Sequence, residues 1–251
     1  MPALRASGHG PTAVVGPYAG VMADAAVKDL VIDATDGRTL AAFWSAVLGL
    51  RPGPAGDSTT DFVLTDDVAE HTVWINQVPE PRTVKQRVHL DLHATVEELE
   101  RLGATADTDQ ESWTVMRDPE GGELCAFPRR AASAGPYRLY ALVVDCADPA
   151  AASAWWGERL GREALRYEDR PWYRLEPGGG LPWLMLFIPV PEPKTVKNRI
   201  HWDVWGETDA LLAAGATLLA AREDSPDPHV HWDVLADPEG NEFCVFRPDR
   251  D

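Results

Sequence analysis

The chain has 251 residues, 45% of them apolar and 25% charged, which is enough for one large core or two of ordinary size. Its formal charge of −17 disfavours a nucleic-acid partner, because a phosphate backbone is met by a basic footprint. No apolar run approaches the roughly 18 residues of a membrane span, and Cys125, Cys146 and Cys244 form neither a CxxC pair nor an even disulfide set, so a reducing cytoplasm is the expected compartment.

Residues 1–27 are rich in Gly, Pro and Ala, have no period, and lack the apolar centre of a secretory signal. They are expected to be a disordered tail outside the fold, with Met1 and Met22 as alternative translation starts. LVID, from Leu30, is a β-branched run and predicts a strand. Asp36 then stands where a helix N-cap belongs, and TLAAFWSAVLGL carries apolar residues at helical spacing up to Gly49. FVLT and TVWINQV predict short strands, and RVHLDLH alternates as a strand does. VEELERLGAT predicts a short helix stopped at Gly103, and WTVMRDPEGGELCAF a hairpin turning at DPEG. AASAGP, residues 131–136, reads as a linker.

The same order then returns. VPEPRTVKQRVHLDL from Val78 recurs as VPEPKTVKNRIHWDV from Val190, an offset of 112. Leu48-Gly49 matches Leu160-Gly161, Asp36 matches Asp148, and Gly103-Ala104-Thr105 matches Gly215-Ala216-Thr217. After an insertion near SPDPHVH the offset is 119, and Asp118-Pro119-Glu120-Gly121 matches Asp237-Pro238-Glu239-Gly240. Each copy reads β-α-β-β-β twice over. The expected domains are residues 28–130 and 137–249.

An Asp followed by LG after an opening strand, then PEPKTVKNRxHxD, a short helix ending GAT, and WxVxxDPEGNEFC together resemble the glyoxalase-like group of the vicinal oxygen chelate superfamily. The resemblance spans nearly all of both copies. It implies an α+β fold of two tandem glyoxalase-like domains, in which paired βαβββ modules form half-barrel cavities. The family includes glyoxalase I, extradiol dioxygenases, fosfomycin-resistance transferases and bleomycin-resistance (drug-binding) proteins, so fold alone does not choose a function. It also implies metal ligands on the first, fourth, fifth and eighth strands of a module pair, typically His or Gln, Glu, His and Glu. The fifth-strand position holds His89 and His201, and the eighth holds Cys125 and Cys244. The first falls at Asp29 and Ala141, the fourth at Asn76 and Ile188. The ligand set is therefore degenerate. Pairing across the copies would join Asp29 and Asn76 with His201 and Cys244, and leave the other combination nearly apolar.

Alternation puts His89 with Asp91, His201 with Asp203, Glu123 with Cys125, and Glu242 with Cys244. His89, His201, Asp91 and Asp203 are the candidate catalytic residues for acid–base work. His201, Asp29 and Cys244 are the candidate ligands of a single divalent ion. A His-x-Asp pair also serves as a structural hydrogen-bonded unit, and a strand cysteine as an apolar filler. The ligand-binding candidates are Trp44, Trp74, Trp156, Trp183, Trp202, Cys125, Cys244, Glu123 and Glu242, since tryptophan suits planar ligands. Seven of the ten tryptophans lie in the second copy, as do His229 and His231, which would share a strand face. Lys85-x-Arg87 and Lys197-x-Arg199 suit either an anion clamp or ion pairs with nearby carboxylates. The expected function is binding of a small, aromatic or hydrophobic molecule in a Trp-lined cavity by a monomer or homodimer. The alternative is a metal-dependent or His/Asp acid–base enzyme of the lyase, isomerase or dioxygenase type.

Overall fold

The computed structural model describes residues 23–54, 60–128 and 137–248; most of the tail, Met22 and the linker at 131–136 lie outside them. The described chain forms four βαβββ modules. The first holds β1 (Ala25–Ala34), α1 (Gly37–Leu48), β2 (Arg51–Gly53), β3 (Phe62–Thr65) and β4 (Val73–Gln77). The second holds β5 (Val88–His93), α2 (Val96–Leu102), β6 (Thr105–Asp109), β7 (Thr114–Arg117) and β8 (Glu123–Phe127). The third holds β9 (Leu139–Cys146), α3 (Pro149–Arg159), β10 (Ala164–Arg166), β11 (Tyr173–Leu175) and β12 (Leu184–Pro189). The fourth holds β13 (Ile200–Gly206), α4 (Thr208–Ala213), β14 (Thr217–Ala220), β15 (Trp232–Ala236) and β16 (Glu242–Phe246). β1 begins at Ala25, three residues before the expected domain start at residue 28.

Local chemistry sets the helix ends. Asp36 accepts from the Thr39 amide, and Asp148 from those of Ala150 and Ala151, satisfying N–H groups that a helix start leaves open. Thr95 and Glu98 form a reciprocal capping box on α2. Gly49 closes α1 at φ 74°, a left-handed conformation that costs glycine little.

The modules pair across the two copies. One eight-stranded sheet runs β14-β15-β16-β13-β1-β4-β3-β2 and combines the first and fourth modules. The other runs β10-β11-β12-β9-β5-β8-β7-β6 and combines the second and third. The seams are antiparallel, with Leu30 opposite Trp202 in the first sheet and Leu90 opposite Leu142 in the second. Neither sheet closes into a barrel, since β14 and β2 are ends of one and β10 and β6 of the other.

Alternation divides each sheet into two faces. Leu30, Ile32, Val73, Ile75, Trp202, Val204, Phe243 and Val245 belong to one buried core that also takes in residues of the second sheet and the helices. α1 and α3 supply Trp44 and Trp156 to it. The intervening residues, such as Asp29, Trp74, His201, Asp203 and Cys244, lie on the opposite face. The halves also interlock away from the seams. Glu120 accepts from the amides of Thr35 and Asp36, and Glu239 from those of Ala147 and Asp148, so each DPEG turn holds the start of a helix in the other sheet.

Candidate functional site

The residues on the non-core faces gather into two equivalent clusters. In the first sheet, Asp203 of β13 is in register with Asp29 of β1 on one side and with Cys244 of β16 on the other. His201, two residues before Asp203, shares its face. His201 Nε2 lies 3.7 Å from Cys244 Sγ and 3.7 Å from Asp203 Oδ1. Trp74 Nε1 donates to Asp29 Oδ2 at 3.1 Å, and Lys28 Nζ pairs with the same oxygen. In the second sheet, Asp91 of β5 is in register with Ala141 and Cys125, and His89 Nε2 lies 3.6 Å from Asp91 Oδ1. In each cluster the His, Asp and Cys ligand atoms fall within 4.8 Å of one another.

Burial dominates the proton states. It lowers His201 to about 3 and His89 to about 4, so both imidazoles are neutral near pH 7. It raises Asp91 to about 8, a carboxyl that keeps its proton. Asp203 is raised well above the carboxylate range by burial, and the facing Asp29 pushes it the same way. Burial also holds the Cys125 and Cys244 thiols protonated, with Asp91 and Asp203 adding to the effect.

What surrounds the clusters differs. Asp29 is matched by Ala141, and Trp74 by Leu186. The second sheet thus carries an apolar floor of Ala141, Val143, Leu184 and Leu186. Half-buried aromatic rings stand beside it: Trp113 stacks on Phe127 at 5.7 Å and meets Trp172 at 6.5 Å, Phe127 meets Tyr140 at 5.6 Å, and Trp172 meets Tyr167 at 6.2 Å. The Arg170 guanidinium covers Trp172 at 4.6 Å. The first sheet has Lys28 where the second has Tyr140, and this ammonium sits 4.2 Å over the Phe246 ring.

Several expected site residues lie elsewhere. Trp44, Trp156, Trp183 and Trp202 are core residues, each no more than 2% exposed. Of the five expected tryptophans, Trp74 alone reaches a cluster. Glu123 accepts the Gln86 amide and an Arg117 bond, and Glu242 accepts the Asn198 amide and Lys194. These carboxylates anchor the loops entering β5 and β13 and do not join the thiol clusters. Asn76 is in register with Asp33, further along the strand. His229 and His231 precede β15 in turn and coil, in a segment with Pro226 and Pro228, so they share no strand face. Lys85 and Lys197 form ion pairs, with Asp145 and Asp33 respectively. Sequence reasoning missed Lys28 and the ring group; comparing Lys28 with Tyr140 at the repeat offset exposes the difference.

A cavity of about 910 Å³ lies between the loops of residues 78–87 and 190–199, and no His, Asp or Cys of either cluster lines it.

Two eight-stranded sheets, each assembled from a pair of βαβββ modules with a His-bearing face, define an α+β protein of the vicinal oxygen chelate class. The family model for the glyoxalase-like domain matches residues 29–127 and 141–246, and the chain belongs to that family as a tandem member. No curated protein matches it in sequence. Among solved structures it is similar to glyoxalase I from Zea mays, at 12% identity and a TM-score of 0.64, over 88% of this chain and 92% of that one. It is similar also to a candidate dioxygenase from Bacillus subtilis, at 12% identity and a TM-score of 0.59, over 88% and 84% of the two chains. Likeness at this identity speaks to the fold alone. No helix among the described residues is long and apolar enough to cross a membrane.

Proposed function

We propose that this protein binds a small aromatic or hydrophobic molecule on the non-core face of its second sheet, as a cytoplasmic binding protein with reduced thiols. The observation that carries this reading is the apolar floor of Ala141, Val143, Leu184 and Leu186 with five half-buried rings beside it. Apolar walls supply affinity, and a few polar groups orient the ligand. His89 and the protonated Asp91 supply an acceptor and a donor here without a net charge. The rings of Trp113 and Trp172 supply flat contact area.

Tryptophan fluorescence titrated with naphthalene and anthraquinone compounds tests this. Saturable quenching is expected, weakened about three- to tenfold by Trp113→Ala or Trp172→Ala, the range for one aromatic contact. Unchanged affinity in both variants would refute the reading.

One observation favours a second reading for the first sheet, a metal-dependent or acid–base site. His and Asp atoms are buried without a hydrogen-bond partner among the described residues in both clusters, His201 Nδ1 and Asp203 Oδ1 in the first sheet and His89 Nδ1 and Asp91 Oδ1 in the second. Only the first adds a further orphaned carboxylate oxygen, Asp29 Oδ1, and orphaned polar atoms are costly. The donor set suits zinc. Tetrahedral bonds of about 2.0–2.3 Å separate ligand atoms by about 3.3–3.6 Å, close to the 3.7 Å between His201 Nε2 and both Cys244 Sγ and Asp203 Oδ1. His201, Asp203 and Cys244 would hold the ion, with Asp29 beside them. A bound ion would supply Lewis-acid chemistry. Without one, neutral His201 can accept a proton and protonated Asp203 can give one. Chelator-treated protein titrated with cadmium is expected to show a thiolate charge-transfer band at one ion per chain. Cys244→Ser should abolish the band and Cys125→Ser should not; two ions per chain would defeat this assignment.

A further inference from the structure

The loops PEPRTVKQR (79–87) and PEPKTVKNR (191–199) bring five cationic side chains to the lining of one cavity, against four carboxylates, of which Asp33 and Asp145 are buried. Both loops line the same cavity, of about 910 Å³. That volume is within the range of small-molecule sites. Its walls are braced. Arg87 Nη1 donates to the Glu192 carbonyl at 2.6 Å, and Arg199 donates to the Glu80 carbonyl, so each loop is tied to the other. A cavity held open in this way needs little ordering when a ligand arrives.

The two loops bring chemically alike groups to the cavity. Lys85 Nζ bonds the Asp145 carboxylate at 2.5 Å, and Lys197 Nζ bonds Asp33 at 2.6 Å. Both carboxylates are buried, whereas the lysine side chains are 62% and 56% exposed. Each ammonium therefore spends one of its three donors on a buried partner and presents the rest toward the opening. Thr83 and Thr195 add a hydroxyl from each side. Val84 and Val196 also line the cavity, each 42% exposed, two of the few large apolar side chains the described fold leaves open to solvent.

We propose that this cavity binds an elongated anion with an apolar middle and a carboxylate at each end. Its carboxylates meet Lys85 and Lys197, and its chain lies against Val84 and Val196. No residue of either His-Asp-Cys cluster lines this cavity.

Calorimetric titration of the full chain with α,ω-dicarboxylates from succinate to dodecanedioate tests the proposal. One length is expected to saturate at one per chain, at least about tenfold tighter than the monocarboxylate of equal length, as loss of a charged hydrogen bond predicts. Lys85→Met and Lys197→Met should each weaken it by a similar factor. Those variants leave a buried carboxylate unpaired and can unfold, so Val84→Asp and Val196→Asp provide a second route. They sit at exposed positions and place a repelling charge inside the cavity, which should abolish saturation. Trp113→Ala should leave dicarboxylate binding unchanged, separating this site from the aromatic one. The proposal is overturned if no dicarboxylate saturates, if mono- and dicarboxylates bind equally, or if the Val→Asp variants bind like the parent.

Discussion

Trp156→Ala is expected to cost about 3–5 kcal/mol of stability, the range for truncating a fully buried large aromatic. Trp156 is fully buried, and it belongs to the third module while its ring packs on the fourth. Its centroid lies 4.9 Å from that of Trp202 and 5.0 Å from that of Phe243, both in edge-on contact. The indole Nε1 also donates to Asp237 Oδ2 at 3.0 Å. Asp237 is a buried carboxyl raised by desolvation, which the Trp156 bond offsets. Alanine removes the ring, leaves a cavity between α3 and the other sheet, and strips Asp237 of a donor. Trp156→Phe separates the parts: it keeps most of the volume and should cost about 1–3 kcal/mol for the stranded acceptor. Urea unfolding would measure both. Equal costs for Ala and Phe would show that the hydrogen bond, not the packing, carries the effect.

Asp91→Asn is expected to stabilise the protein by an amount that grows from pH 4 to pH 8. An unfolded chain ionises this carboxyl near about 4, whereas burial in the fold raises it to about 8. The stability it contributes is complete below the unfolded value and is lost as pH rises through the folded one. The limiting slope is about 1.4 kcal/mol per pH unit. His89, lowered to about 4, acts in the opposite sense. Its unfolded imidazole takes a proton below about 6.5, so stability falls as pH drops from there. The two slopes oppose each other between pH 4 and 6.5, and only the Asp91 loss remains from 6.5 to 8. Melting temperatures of parent and variant across this range should diverge steadily with pH. A constant offset would mean that Asp91 is ionised in the fold.

The module order was legible because its signals are local. Asp36 and Asp148 cap helices, Gly49 and Gly103 end them, and the DPEG turns close hairpins, each through neighbours in sequence. Which modules share a sheet was not legible. Leu30 faces Trp202 across the seam, but the first strand of every module offers apolar residues in the same alternation, so either pairing buries the same face. The His-Asp-Cys groups followed from alternation within strands, whereas the place of Asp29 beside Asp203 required the cross-copy pairing, which the sequence offered only as one of two alternatives. Three of the tryptophan expectations, for Trp44, Trp156 and Trp202, failed for a reason the sequence already contained. Trp202 lies between His201 and Asp203, so it cannot share their face. Trp44 and Trp156 lie at matching positions in apolar helices and turn toward the core.

The cross-pairing of modules has a consequence for how the two clusters can change. If one copy alone assembled as a symmetric homodimer, every substitution would appear in both of its sites at once. Here the exchange of Asp29 for Ala141 alters one cluster and leaves the other untouched, because each position occurs once per molecule. The covalent link makes the chain equivalent to a heterodimer of fixed stoichiometry. One cluster is free to lose its polar surroundings while its twin retains them, because each His-Asp-Cys trio comes from one copy and the residue facing it, Asp29 or Ala141, from the other.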